Sequence, residues 1–149
     1  MKDKVNEIQI SYREKIGTLK STPIKSSEQA AHLLFKNWDK NTIGLHETFK
    51  ILLLNNSNRV KGIYPLSNGS ITGTVVDIRI LFAIVLKTLS VGILLAHNHP
   101  SNKLEPSEAD KRLTDKIQQA AQLFDVSVLD HIIIAPDGGY YSFADNGLI

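Results

Sequence analysis

Two histidines one residue apart mark the stretch of this sequence with the strongest capacity for chemistry. Residues 94–100 read Leu-Leu-Ala-His-Asn-His-Pro, so His97 and His99 would share a face of an extended strand. Imidazole nitrogens are favoured ligands of Zn²⁺, and carboxylate oxygens commonly complete such sites. The pair therefore predicts a metal site, although a His-x-His pair alone also occurs in proteins that bind no metal.

A carboxylate for the same ion follows eleven residues after His99. Asp110 lies behind the loop 100–106, which is long enough to fold back and bring the first turn of the next helix towards the histidines. Two imidazoles, one carboxylate and a water would give a four-coordinate zinc site, in which the pKa of the water falls to about 7. Ser107 and Asp110 also have the spacing of a helix capping box, so two interpretations of Asp110 stay open, metal ligand or helix cap.

Two further side chains would complete a hydrolytic site. Glu47 begins a predicted strand of the same sheet and could accept a proton from the metal-bound water. Ser107 could donate a hydrogen bond to the oxyanion that develops when hydroxide attacks a carbonyl. Each has a plainer interpretation as well, Glu47 as a solvated carboxylate at a strand end and Ser107 as a helix cap.

The hydrophobic pattern predicts the elements that would hold these side chains. The continuous apolar run at residues 91–96 is typical of a central strand covered on both faces, and His97 follows it. The other predicted strands cover residues 5–12, 47–54, 59–64, 126–134 and 140–143. Helices are predicted from a Ser26-Ser27-Glu28 cap to Trp38, over residues 74–89 with Thr74 as cap, and over residues 107–124, with a loop at residues 65–73. Helices interleaved with strands indicate an α/β fold.

The composition of the 149-residue chain limits the possible functions. A net charge of +2 gives no general case for a nucleic-acid or membrane partner, although residues 1–25 carry six basic against three acidic residues. The absence of cysteine excludes disulfides, thiol nucleophiles and cysteine-rich zinc sites. The apolar region 71–96 contains Asp77, Arg79 and Lys87, which argues against a membrane span. No signal-peptide pattern follows Met1, so a cytoplasmic location is expected.

Taken together, these residues resemble the motif of the JAMM metalloproteases, also called MPN or JAB proteins. The motif consists of Glu47, His97-Asn98-His99, Ser107 and Asp110. The flanking residues 96–101, 105–110 and 129–134 are similar to the RadC-like branch of that family. The resemblance covers about residues 40–149, and it implies a single-domain mixed β-sheet flanked by helices, similar to that of cytidine deaminases. It divides the chain into an N-terminal arm at residues 1–40, with one strand and one helix, and a RadC-like metal-binding domain at residues 41–149.

The resemblance also implies a function for each matched residue. His97, His99 and Asp110 correspond to zinc ligands. Glu47 corresponds to the general base, and Ser107 to the side chain that stabilises the transition state. JAMM relatives cleave peptide or isopeptide bonds, often at ubiquitin-like tails, so a substrate of that kind is expected.

Alternatives to a zinc hydrolase remain. RadC-like proteins were named for DNA repair, so a nucleic-acid-binding module is the second hypothesis, but we expect no helix-hairpin-helix region ahead of this domain. Asn102 stands where these proteins usually have glycine, which affects the loop and not the ligand set. A metal-free scaffold is disfavoured because every ligand is present, and a zinc nucleobase deaminase because cysteine is absent. Asp130-His131 is either an inward polar pair of a strand or a support for a metal ligand.

Overall fold

Three helices and five strands form the part of the chain that the computed structural model describes, residues 3–15, 17, 20–21, 23–69 and 75–149. In chain order they are α1 (Ser27–Lys36), β1 (Thr48–Leu54), β2 (Val60–Asn68), α2 (Ile78–Lys87), β3 (Gly92–Asn98), α3 (Glu108–Gln122), β4 (Ser127–Ile134) and β5 (Tyr140–Ser142). The predicted α/β fold with a mixed sheet flanked by helices is confirmed.

The described strands form one sheet with the order β2-β1-β3-β4-β5. β1 pairs antiparallel with β2 and β3, β3 pairs parallel with β4, and β4 pairs antiparallel with β5. Every residue of β3 is buried, as the continuous apolar run predicts for a central strand. β3 extends through His97 and Asn98, so both residues belong to the strand and do not merely follow it.

Helices cover both faces of this sheet. On one face, Leu34 of α1 packs in a cluster with Leu94 of β3. On the other face, Ile117 of α3 packs in a cluster with Leu95 and with residues of α2. Because side chains alternate along a strand, His97 has the same parity as Leu95 and faces α3.

The strand predicted at residues 5–12 is wrong. The chain there pairs with no strand among the described residues. Ile8 and Ile10 are 83% and 68% exposed. An alternating pattern is not sufficient for a strand, because a strand also needs a neighbouring strand with which to form hydrogen bonds. The hydroxyl of Tyr12 donates to the carbonyl of Lys61 at 3.0 Å, which attaches the end of this segment to β2. The boundary between an arm at 1–40 and a domain at 41–149 stays a prediction, although α1 shares its core with the sheet.

The loop predicted at residues 65–73 begins too early. β2 continues through Pro65 to Asn68, with a register shift in its pairing with β1 between Phe49 and Lys50. A proline is tolerated here because β2 is an edge strand, where a missing N–H need not interrupt the ladder. Residues 70–74 lie outside the described residues.

The second predicted helix also has a different start. α2 begins at Ile78, and its cap is Asp77, whose Oδ1 accepts the N–H of Arg79 at 2.9 Å. Aspartate is a better N-cap than threonine, and the predicted cap Thr74 lies outside the described residues. Within the described ranges, no helix has the length and apolar character needed to cross a membrane.

Candidate metal centre

β3 carries the first histidine to the face of the sheet that α3 covers. His97 pairs with Phe49 of β1 and with Ile133 of β4, and its side chain is 2% exposed. Its ring stacks on the ring of Phe49 with the centroids 6.0 Å apart. Beyond the strand end, the N–H of His99 donates to the carbonyl of Ile134 at 2.9 Å. This bond continues the ladder and keeps the second histidine beside the first.

The first turn of α3 carries the carboxylate. Ser107 is the N-cap: its Oγ accepts the N–H of Asp110 at 3.0 Å, and Oδ2 of Asp110 accepts the N–H of Ser107 at 2.9 Å. The same Oδ2 lies 3.4 Å from Nε2 of His97 and 3.6 Å from Nε2 of His99. An ionised carboxylate oxygen has more than one acceptor site, so this atom can cap the helix and face an ion together. The two interpretations of Asp110 are therefore compatible in one geometry.

Three potential ligand atoms converge at this point. One nitrogen from each of His97 and His99 and one oxygen from Asp110 lie within 4.8 Å of one another, and the two Nε2 atoms are 2.9 Å apart. In a tetrahedral site with zinc–ligand bonds of about 2.0–2.1 Å, neighbouring ligand atoms lie about 3.3 Å apart. The observed separations lie on both sides of that value, so a small ion fits with little ring movement.

The hydrogen bond behind His99 determines which of its nitrogens faces this point. Nδ1 lies 2.6 Å from the carbonyl of Lys103, which can only accept, so Nδ1 carries the proton and Nε2 presents its lone pair. Nε2 of His97 lies opposite this lone pair. Two ring nitrogens at this distance can share a proton or a metal ion between them. The residues present therefore fit a bound metal ion.

The electrostatics of the cluster favour an ionised carboxylate. Burial raises the pKa of Asp110, but the hydrogen bonds and charges of His97 and His99 outweigh burial and hold this pKa well below its usual range. Burial lowers the pKa of His99, but the carboxylate of Asp110 and the carbonyl of Lys103 outweigh that effect and raise it. An ionised carboxylate is the form that binds a metal ion.

Glu47 lies beside the three candidate ligands. It immediately precedes β1, which starts at Thr48, and its carbonyl accepts the N–H of Gly69 at 2.6 Å. Its Oε1 lies 3.9 Å from Nε2 of His99. Burial raises the pKa of Glu47, although the charges of His97 and His99 oppose that rise. A carboxylate with a raised pKa, 3.9 Å from a candidate ligand, is suited to accept a proton.

A groove of about 630 Å³ opens the cluster to solvent. Phe49, Val76 and Leu113 contribute apolar lining, and Glu47 and Ser107 contribute polar lining. A larger groove of about 1020 Å³ lies between α1, β2 and residues 12–15, and it contains none of the candidate site residues. The site chemistry therefore belongs to the smaller groove.

Two buried side chains lie behind the ligands: His131, which the sequence offered as a possible support for a metal ligand and which contacts His97, and Thr114, which the sequence did not indicate. Nε2 of His131 lies 2.7 Å from Nδ1 of His97, and Nδ1 of His131 lies 2.7 Å from Oγ1 of Thr114. Burial lowers the pKa of His131 well below its usual value, so the ring is neutral. Asp130 points elsewhere and accepts a hydrogen bond from the hydroxyl of Ser142 at 2.6 Å. Thr114 is absent from the predicted site, although its position four residues after Asp110 on a helix could have indicated it.

Asn98, between the two histidines, attaches the segment that carries Glu47 to the sheet. Its side chain is fully buried, and Oδ1 accepts the N–H of Thr48 at 2.7 Å. Its Nδ2 donates to the carbonyl of Ile43 at 2.7 Å and to that of His46 at 2.9 Å. These bonds hold residues 43–48 against β3. The sequence does not indicate them, because an amide side chain bonded to distant backbone groups has no local pattern.

The Asn98→Ala variant is expected to lose about 3 kcal/mol or more of its free energy of unfolding. The substitution removes the side-chain partner of one N–H and two carbonyls, and each buried group left unpaired costs about 1–3 kcal/mol. Chemical denaturation measures this loss. The control is Asn146→Ala, since the side chain of exposed Asn146 donates to the carbonyl of Ser142 and its loss should cost under about 1 kcal/mol. Equal losses of unfolding free energy in the two variants would contradict the claim that Asn98 holds residues 43–48 against β3.

Comparison with known proteins places the chain in a family. The family of the RadC-like JAB domain matches residues 24–148, so the match includes α1. A UPF0758 protein of Flavobacterium johnsoniae is 50% identical over 103 residues, which are 69% of this chain and 44% of that protein. The UPF0758 protein of Porphyromonas gingivalis is 43% identical over 103 residues, 69% of this chain and 45% of that protein. The chain spans less than half the length of these two curated relatives.

The fold and the site together define an α/β domain with a candidate His-His-Asp metal centre. The chain belongs to the RadC-like JAB-domain family.

Proposed function

We propose that this domain is a zinc-dependent hydrolase that cleaves peptide or isopeptide bonds. The observation that carries the proposal is the convergence of His97, His99 and Asp110 within 4.8 Å, with Glu47 3.9 Å from one of these histidines. The RadC-like JAB family supports it, because JAB proteins include many hydrolases.

Zinc is the metal that the donor set favours. Two imidazole nitrogens and one carboxylate oxygen match the three protein ligands of a catalytic zinc site, in which a fourth position is left for water. Bound there, zinc would lower the pKa of that water and polarise a carbonyl oxygen. His97, His99 and Asp110 would hold the metal.

Glu47 would act on the proton of the attacking water. Its carboxylate lies beside the ligands and not among them, and its raised pKa is closer to the pH at which a general base works best. The proton that it accepts can pass to the leaving amine of a peptide or isopeptide bond. The attachment of residues 43–48 by Asn98 would keep this carboxylate in place.

Ser107 would stabilise the developing oxyanion. Its Oγ already accepts the N–H of Asp110, so the hydroxyl proton remains to be donated into the groove. A positioned donor of this kind is worth about 10²–10³ in rate. The hydroxyl thus supports the proposed chemistry while it caps α3.

The test of the function is cleavage of a substrate panel by zinc-loaded protein. Peptide and lysine-linked isopeptide libraries are incubated with the protein before and after chelation, and products are identified by mass spectrometry. We expect cleavage that chelation abolishes and zinc restores. Absence of cleavage by protein that carries stoichiometric zinc, across both libraries, would contradict the proposal.

The Ser107→Gly variant separates catalysis from capping. Glycine at an N-cap costs only a few tenths of a kcal/mol, whereas loss of the oxyanion donor should lower kcat by about 10²–10³. The rate is measured with a substrate found in the panel, and stability by thermal unfolding. A Ser107→Thr variant, which retains a hydroxyl, should recover most of the rate. Full activity in the glycine variant would leave Ser107 as a helix cap alone.

The natural substrate stays a prediction, because the match covers less than half the length of these two relatives. A nucleic-acid partner stays a prediction, as does a cytoplasmic location.

A further inference from the structure

Three hydrogen bonds connect two candidate ligands, His97 and Asp110, through the side chains of His131 and Thr114. Nδ1 of His97 lies 2.7 Å from Nε2 of His131, and Nδ1 of His131 lies 2.7 Å from Oγ1 of Thr114. Oγ1 of Thr114 lies 2.8 Å from the carbonyl oxygen of Asp110, one helical turn earlier on α3. This relay therefore begins at one ligand and ends at the backbone of another.

The carbonyl at the end of the relay fixes the direction of every bond in it. A carbonyl can only accept, so the hydroxyl of Thr114 donates to Asp110. Oγ1 must then accept the N–H from Nδ1 of His131, which leaves the lone pair of a neutral His131 on Nε2. That lone pair accepts the Nδ1–H of His97, so the lone pair of His97 is on Nε2, the atom that faces His99 and Asp110.

The surroundings of His131 leave its ring no other arrangement. The residue is 0% exposed, and its ring stacks on that of Phe143 with the centroids 4.5 Å apart. The ring of Phe49 meets it edge-on at 5.5 Å. Its two nitrogens contact His97 and Thr114, and no carboxylate contacts them in the described part of the chain. The ring is therefore a rigid, neutral connection between its two partners.

We infer that Thr114 is a positioning residue which acts through His131 to hold His97 in the tautomer that presents Nε2 to a metal ion. This inference rests on the metal-binding part of the proposed function. The carbonyl of Lys103 has the same effect on His99 directly. Without the hydroxyl of Thr114, His131 is free to carry its proton on Nε2, and the proton of His97 then moves to the nitrogen that the ion requires.

Substitutions at Thr114 test the relay. Thr114→Val removes the hydroxyl and keeps the shape, and Thr114→Ser is the matched control that keeps the hydroxyl. The first readout is the tautomer of His97 in metal-free protein, from imidazole ¹⁵N chemical shifts recorded at a pH where those shifts show a neutral ring. The second readout is zinc affinity, measured by competition with a chromophoric chelator.

We expect His97 to carry its proton on Nδ1 in the wild type and in Thr114→Ser, and to show the Nε2–H form in Thr114→Val. Zinc should bind about 10–100-fold more weakly to Thr114→Val, the usual effect of losing an outer partner, and about equally to the other two proteins. A wild-type His97 protonated on Nε2, or unchanged zinc affinity in Thr114→Val, would overturn the inference. A wild-type His97 protonated on Nε2 overturns the inference even if the valine variant does not fold. A wild type with the expected tautomer but no affinity for zinc would contradict the proposed function and leave the relay intact.

Discussion

The Asp110→Asn variant is expected to bind zinc at least ~100-fold more weakly than the wild type and to remain folded, with a lower free energy of unfolding because the neutral amide loses the attraction of the carboxylate to His97 and His99. An asparagine oxygen can still accept the N–H of Ser107, so the helix cap is retained. The neutral amide is a poor zinc ligand, and loss of a direct ligand should exceed the roughly 10–100-fold effect of losing an outer partner. Chelator competition measures the affinity, and denaturant unfolding of the metal-free protein measures the stability.

Asp115→Asn is the matched control for this experiment. Asp115 lies on the same helix and is exposed, and the substitution changes the charge by the same amount. Its zinc affinity should equal that of the wild type. If Asp110→Asn also retained wild-type affinity, Asp110 would be a helix cap and not a ligand.

The Glu47→Gln variant is expected to lower the rate of zinc-dependent hydrolysis by about 10²–10⁴ while it retains one zinc ion per chain. Glutamine has nearly the same shape as glutamate but cannot accept the proton of the attacking water. Glu47 lies beside the ligands and not among them, so the metal affinity should change little. Single-turnover rates and metal content, measured on the same preparation, separate the two effects.

Glu105→Gln controls for the loss of a negative charge in the same groove. Glu105 contributes to the groove lining, but its side chain is 82% exposed, so its neutralisation should leave the rate nearly unchanged. A normal rate in Glu47→Gln would remove Glu47 from the role of general base. Loss of zinc from Glu47→Gln would instead make it a metal ligand.

The sequence indicates which potential ligands the structure brings together, because few side chains supply the atoms that a metal ion needs. His97 and His99 belong to one strand end, and Asp110 to the next helix start, so short-range pattern is sufficient to bring them near each other. The structure brings the three together. Glu47 is near them because β1 pairs with β3, with Phe49 opposite His97. The resemblance to JAMM proteins, and not periodicity, connects that distant residue to the others.

The features that the sequence does not predict depend on the register between strands and on contacts between residues distant in sequence. His131 reaches His97 because β3 and β4 pair with Leu95 opposite His131, a register that no local pattern determines. Asn98 holds residues 43–48 in place by three hydrogen bonds to their backbone groups, which are distant from it in sequence. Residues 5–12 alternate like a strand, yet a strand also needs an adjacent edge.

The most direct test of a zinc centre in this domain is a crystal structure of zinc-loaded protein with data collected at the zinc absorption edge. We predict one anomalous peak per chain, about 2.0–2.2 Å from Nε2 of His97, Nε2 of His99 and a carboxylate oxygen of Asp110. Protein supplied with equimolar zinc that shows no peak at this point, or a peak held by other residues, would contradict the account.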